Sequence, residues 1–164
     1  CMALSAVSFY GLAMTDFSSQ QVQAWILMAL LGFSAASALL ASTAAIMAAA
    51  PAEKAAAAGA IETMAYELGA GLGIAIFGLL LSRSFSASIL PPAGLNPQEM
   101  ERASSSMGEA VQLAHSLPSS LSEALLTAAR EAFTWSHSVA LSSAGSMLIV
   151  LAIGMWFSLA KVQR

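Results

Sequence analysis

Residues 59–81 form an apolar run long enough to cross a membrane, and two glutamates lie inside it. The run reads GAIETMAYELGAGLGIAIFGLLL, and its ionisable side chains are Glu62, Glu67 and the phenol of Tyr66. About 20 apolar residues are enough for a helix to span the hydrocarbon core of a bilayer. A carboxylate at the bilayer centre costs about 2.5–3.5 kcal/mol on insertion scales, so acids at this depth predict a function in handling ions or a charged substrate.

The composition of the whole chain also predicts a membrane protein. Apolar residues make up 58% of the 164 residues and charged residues 9%, against about 25% charged in an average soluble domain. The mean hydropathy is +0.76. The net charge of −3 without a basic stripe argues against nucleic acid as a partner, and the single cysteine excludes an internal disulfide or a cysteine metal site. We therefore expect an all-α membrane protein in contact with the lipid bilayer, without a metal site.

Four apolar segments predict the transmembrane organisation. The first is too short to span a bilayer, and the chain begins with Cys1 instead of methionine. We therefore expect a truncated first helix and a missing N-terminal part of the same protein. The predicted segments are residues 1–14, 24–50, 55–82 and 139–160.

Residues 83–138 predict an external hairpin of two amphipathic helices. The sequence Asn96-Pro97-Gln98-Glu99 combines a capping side chain, a proline at the first helical position and a glutamate at the third. An apolar stripe at helical spacing follows and predicts one helix as far as Pro118. Ser120 and Glu123 have the spacing of a second capping box, which opens the second helix. The alternative is a solvated spacer with helical tendency.

The basic residues predict the orientation. Lys54, Lys161 and Arg164 lie in short segments close to apolar runs, and the positive-inside rule places such segments in the cytoplasm. The tail at residues 161–164 is then cytoplasmic and the hairpin lies on the outer side of a multi-pass membrane protein.

The two glutamates lie at different positions around and along the predicted helix. Five residues correspond to about 140° of rotation, so Glu62 and Glu67 are not expected to share a proton. If Lys54 marks the cytoplasmic interface, Glu62 is about 12 Å and Glu67 about 20 Å along the axis. A carboxyl group at such depth can exchange a proton for a cation, as antiport requires. The alternatives are an acid that reaches the interface, or a buried ion pair with an absent helix.

Neighbouring residues are candidates for lining the same cavity. Thr63, Met64 and Tyr66 lie beside the acids, and Tyr66 follows Glu62 by four residues, which places the two on one helix face. An aromatic ring near a carboxylate suits a lipophilic cation. Ordinary packing is the alternative for each of the three.

Gly69 and Gly73 form a GxxxG pair, which permits two membrane helices to approach closely. We therefore assign these glycines to helix packing. The sequence has no P-loop, zinc motif or Ser-His-Asp arrangement, so we do not expect an enzyme.

Residues 48–85 resemble the penultimate helix of the 14-helix drug:proton antiporters of the major facilitator superfamily. The resemblance rests on the PAEKA turn, the acid-bearing segment and the YELG run that leads into the glycines. It is strongest to the SmvA-type methyl viologen and quaternary-ammonium exporters, and QacA-type exporters are more distant. Where the QacA-type pattern has aspartate as its second acid, this chain has Glu67.

The resemblance implies the C-terminal helices of a major facilitator superfamily bundle. It also implies a location in a bacterial inner membrane, with the hairpin in the periplasm. The implied activity is export of small lipophilic cations, with one or two charges, driven by the proton gradient without a cofactor. Acids of this helix in that family act in cation recognition or proton coupling, which implies those roles for Glu62 and Glu67.

Two other functions stay open on the sequence. One is a stand-alone membrane anchor whose hairpin binds a partner protein. The other is a related exporter of another substrate class, such as a metabolite. The acid pair favours cations over anions.

Overall fold

A computed structural model describes residues 1–17 and 19–162 of the chain, with side chains as far as Ser158. In this part of the chain the regular elements are helices, and a 3₁₀ turn, Ala52–Lys54, precedes the third of them. The α-helices are α1 (Met2–Met14), α2 (Gln21–Ala49), α3 (Ala55–Ser88), α4 (Pro97–Ser105), α5 (Met107–Ala114) and α6 (Ser119–Val162).

Three stretches are long and apolar enough to cross a membrane: Gln21–Ala49, Ala52–Ser88 and Ser119–Ser158. The first helix, α1, has 13 residues and is too short for a full span. The prediction of an all-α membrane protein is therefore confirmed. Of the predicted tail at 161–164, residues 163 and 164 lie outside the described residues, and so do the side chains of Lys161 and Arg164.

The membrane helices extend beyond the apolar segments that predict them. Helix α2 begins at Gln21 instead of residue 24, and α3 continues to Ser88 instead of residue 82. Pro91 and Pro92 account for the end of α3, because proline disfavours the helical conformation of the residue before it. Hydropathy marks where a helix enters water, and the backbone can remain helical beyond that point.

The first hairpin helix was predicted as one element, and this prediction was wrong. The structure divides it at Ser106, whose backbone is extended (φ −165°, ψ 159°). The Ser106 hydroxyl accepts a hydrogen bond from the Glu109 backbone N–H at 3.2 Å, which caps α5. This local cap competes with continuation of the α4 helix.

The second hairpin helix and the last membrane segment form one helix of 44 residues, α6. The predicted boundary at residue 139 is therefore not a helix boundary. Residues 119–144 contain no proline or glycine that would favour a break. Helix α6 begins at Ser119, so Ser120 lies inside the first turn and not at the cap position predicted for it.

The chain divides into two compact units, and α3 and α6 contribute to both. The membrane unit comprises Cys1–Ala75 and Leu141–Arg164, and the hairpin unit comprises Ile76–Ala140. The hairpin unit has a buried apolar core in which α4 and α5 pack against α6 and the end of α3, as the predicted stripes require. One cluster contains Phe85, Ile89, Ala110, Ala129 and Ala132. The other contains Leu95, Ala103, Leu113, Ala114 and Leu125.

The start of α4 confirms the predicted capping box. The Asn96 side chain accepts a hydrogen bond from the Glu99 backbone N–H at 2.8 Å, and the Glu99 carboxylate accepts one from the Asn96 N–H at 2.8 Å. Pro97 occupies the first helical position. An ion pair of 3.0 Å between Arg102 and Glu109 joins α4 to α5.

Within the membrane unit, α1 packs along α2. The buried hydroxyls of Ser5 and Ser34 are 2.7 Å apart. A Cβ atom on Gly11 would approach the side chain of Leu27 to 2.8 Å, so glycine permits this close crossing.

Candidate functional site

Glu62 lies in the second turn of α3 and contacts α2. Its carboxylate accepts a hydrogen bond from the hydroxyl of Thr43, and its side chain is half-buried. A carboxylate that accepts a hydrogen bond from a fixed donor has fewer accessible orientations, and bonds to a charged group are stronger than neutral ones. Thr43 therefore holds the Glu62 carboxylate at the surface where α2 meets α3.

Glu67 is in a different environment. Its side chain is exposed, and it makes no hydrogen bond or ion pair with the described residues. It lies five residues beyond Glu62, about 7.5 Å along the helix axis and about 140° around it. The structure therefore does not bring the two acids together, in agreement with the helical spacing.

The three residues predicted to line a cavity lie on exposed parts of α3. Met64 is 65% exposed and Tyr66 is 58% exposed. The Thr63 hydroxyl donates to the Gly59 carbonyl at 3.0 Å, within its own helix. In the described part of the chain these side chains face open space, so their role as cavity lining remains a prediction.

The glycine pair also faces open space. A Cβ atom on Gly69 or Gly73 would meet no other atom of the described residues within 4 Å. The close helix approach that GxxxG predicts is therefore not made by any described helix of this chain, and the assignment to packing remains a prediction.

Hydroxyl contacts between helices of the membrane unit were not predicted from the sequence. Besides Thr43 with Glu62 and Ser5 with Ser34, the Tyr10 hydroxyl lies 2.6 Å from that of Ser146. These contacts join α1 to α2, α1 to α6 and α2 to α3. The available signal was the occurrence of serine, threonine and tyrosine inside apolar segments, because such residues hydrogen-bond between helices in membranes.

The chemistry open to this site follows from its donors and acceptors. The described residues contain no group of three or more histidine, cysteine, aspartate or glutamate side chains arranged to hold a metal ion. The site consists of two separate carboxylates, a hydroxyl donor and an exposed phenol on apolar helices. Carboxylates in such surroundings can bind a cation or carry a proton.

Together, the helices and the comparisons with known proteins define a multi-pass membrane protein related to efflux proteins. The chain is 85% identical over 163 residues, or 99% of its length, to the methyl viologen resistance protein SmvA of Salmonella typhimurium strains 14028s and LT2. It is 40% identical over 88 residues, 54% of the chain, to the multidrug efflux pump LfrA of Mycolicibacterium smegmatis, of which the match covers 18%. No family model and no solved structure matches it.

The chain is therefore a relative of the SmvA-type methyl viologen resistance proteins, as its sequence resemblance predicts. It spans 33% of the length of the SmvA proteins. The names of these relatives point to transport and not to enzymatic catalysis.

Proposed function

We propose that the chain is the C-terminal part of a proton-coupled efflux antiporter that exports lipophilic cations with one or two positive charges. The observation that supports this best is the 85% identity to proteins named for resistance to methyl viologen, a dication. The two glutamates of α3 are the acids that such a function needs within an apolar helix. The protein lies in a bacterial inner membrane, with the hairpin in the periplasm and the C-terminus in the cytoplasm.

The two acids have different roles in this proposal. Glu67 is exposed on α3 and has both carboxylate oxygens available, so it recognises the cation or exchanges it for a proton. Glu62 is held by Thr43, so it presents its charge in a fixed orientation beside α2. Helices from the remaining length of the SmvA-type protein cover Gly69 and Gly73, and Thr63, Met64 and Tyr66 line the cavity that results.

The test of the acids uses the full-length protein that contains this chain, expressed in bacteria without other cation exporters. We expect Glu67→Gln to lower resistance to methyl viologen on the order of tenfold. Efflux of monovalent ethidium falls less, because a single positive charge needs less compensation. Glu101→Gln, an exposed glutamate of α4, is the matched control. Unchanged resistance and efflux in both Glu62→Gln and Glu67→Gln would exclude the assigned roles.

The role of Thr43 is tested by a series at one position. Thr43→Val removes the hydroxyl at nearly constant shape and should reduce viologen transport several-fold, while Thr43→Ser retains the donor and restores it. Thr134→Val is the control, because the Thr134 hydroxyl donates to the Arg130 carbonyl of its own helix at 2.9 Å. Equal activity of the valine and serine variants at position 43 would show that the hydrogen bond is not used.

Proton coupling has a separate test. In proteoliposomes that contain the full-length protein, an imposed pH gradient should drive accumulation of methyl viologen, and an ionophore that collapses the gradient should stop it. Transport that continues unchanged without a gradient would contradict antiport and leave facilitated diffusion as the mechanism.

A further inference from the structure

The hairpin unit has a groove on the surface of α6. The groove has a volume of about 690 Å³, within the range of small-molecule sites. One wall is a face of α6, and the other includes Ser88 and Leu90, at and just after the end of α3. Phe85 and Ile89 fix this wall, because both are buried in one cluster with Ala132 of α6.

The α6 wall carries two carboxylates and an indole. Glu123, Thr127, Glu131 and Trp135 all line the groove, at intervals of four residues. Residues four apart are neighbours on a helix face, so the four side chains follow one another along the groove. Neither Glu123 nor Glu131 forms an ion pair with any described residue.

Other polar groups of the groove do not compensate the acids. The Thr127 hydroxyl donates to the Glu123 backbone carbonyl at 2.9 Å, and the Ser88 hydroxyl donates to the Ser84 carbonyl at 2.7 Å. Arg130 does not line the groove: it lines a neighbouring depression together with Glu131 and Trp135, and it forms no ion pair with either glutamate of the groove. The groove is therefore negatively charged, with apolar surface from Leu90 and Trp135, which are 81% and 62% exposed.

We propose that this groove of the hairpin unit is a second binding site for lipophilic cations. The face of Trp135 attracts a delocalised or quaternary cation, and Glu131 is one helical turn away to neutralise its charge. Glu123 lies about 12 Å from Glu131 along the axis, which suits a ligand with two separated charges. The proposal rests on the proposed function for the choice of ligand. In the orientation of the proposed function, the groove lies in the periplasm, where exported cations are released. It then binds cations that would otherwise return to the lipid.

The experiment uses the full-length protein in lipid nanodiscs, with methyl viologen as the probe. Binding is followed by calorimetry and by quenching of tryptophan fluorescence. Glu62→Gln and Glu67→Gln first remove the two carboxylates of the candidate site on α3, so that the remaining binding reports on the hairpin unit. We expect a weak site to remain, and its affinity should fall with ionic strength because the acids are exposed.

Two sets of substitutions then test the groove. Glu123→Gln with Glu131→Gln should weaken this remaining binding on the order of tenfold, from two exposed charge contacts. Trp135→Leu should weaken it about two- to five-fold. The matched controls are Glu53→Gln with Glu101→Gln, both exposed, and Trp25→Leu, which is 64% exposed and lies in the membrane unit.

The outcomes separate this inference from the proposed function. The proposed groove site is overturned if no binding remains after Glu62→Gln and Glu67→Gln. It is also overturned if binding is equal in the groove variants and the control variants. Repeating the groove substitutions with Glu62 and Glu67 intact gives the same decision if the membrane variants prove unstable. If the groove substitutions weaken binding but the unsubstituted protein does not transport methyl viologen, the groove site is supported and the proposed function is overturned.

Discussion

The two units of this chain are stabilised in different ways. The hairpin unit has two clusters of buried apolar side chains and helix caps made by Asn96 and Ser106. The membrane unit has few buried apolar side chains and instead has hydroxyl contacts between its helices. Lipid tails are as apolar as leucine, so burial of apolar side chains drives association of membrane helices far less than it drives folding in water. The hairpin unit thus has the apolar core and helix caps typical of proteins that fold in water, and the membrane unit has the polar helix contacts typical of proteins in lipid.

The largest expected effect is loss of a core side chain in the hairpin unit. Leu125 is 0% exposed, so Leu125→Ala should destabilise this unit by about 2–5 kcal/mol. Hydrogen exchange of the hairpin amides in the full-length protein measures the change. Leu90→Ala, at a position 81% exposed, is the control and should have little effect. Equal protection from exchange in the two variants would mean that the buried apolar core does not stabilise the hairpin unit.

A smaller effect is expected from the cap of α4. Asn96→Ala removes the acceptor for the Glu99 N–H and should cost about 1 kcal/mol, measured as the free energy of local opening in the same exchange experiment. Gln98→Ala, in the first turn of the same helix and exposed, is the control. A loss confined to α4 would show that the cap acts locally, and no loss would show that packing alone fixes the helix start.

The smallest effect is expected from a hydroxyl contact in the membrane unit. Ser5→Ala, Ser34→Ala and the double variant form a cycle, and we expect a coupling energy of about 0.6 kcal/mol from thermal unfolding in lipid. Ser37→Ala is the control, because the Ser37 hydroxyl donates to the Phe33 carbonyl of its own helix at 2.8 Å. A coupling several times larger would show that the membrane unit depends on polar contacts as strongly as the hairpin unit depends on its core.

The same division explains which features the sequence predicts. The Asn96 cap and the break at Pro118 are local signals in a polar context, and both appear in the structure. The break at Ser106 had a comparable signal, a serine followed three residues later by Glu109, but the continuous apolar stripe concealed it. The end of α3 depends on Pro91 more than on hydropathy.

The site was predictable only in part. Two glutamates in an apolar helix are visible in the sequence, and their separation follows from helix geometry. The partner of Glu62 was not predictable, because the register between α2 and α3 depends on the turn at residues 50–54, and α2 contains several hydroxyls besides Thr43. Gly69 and Glu67 contact no other helix among the described residues, so these positions offer no contact against which a prediction could be checked.

The hydroxyls that join the membrane helices have a consequence for biosynthesis. Ser34 donates to the Leu31 carbonyl at 3.0 Å, and Ser146 donates to the Ser142 carbonyl at 2.8 Å, each within its own helix. Each of these hydroxyls thus has an acceptor in its own helix as well as a hydroxyl partner in α1. The Ser34 and Ser146 hydroxyls therefore have a partner before any other helix arrives, since a lone helix already provides one. Helices α2 and α6 can enter the bilayer singly during synthesis, and the contacts with α1 form afterwards by lateral encounter.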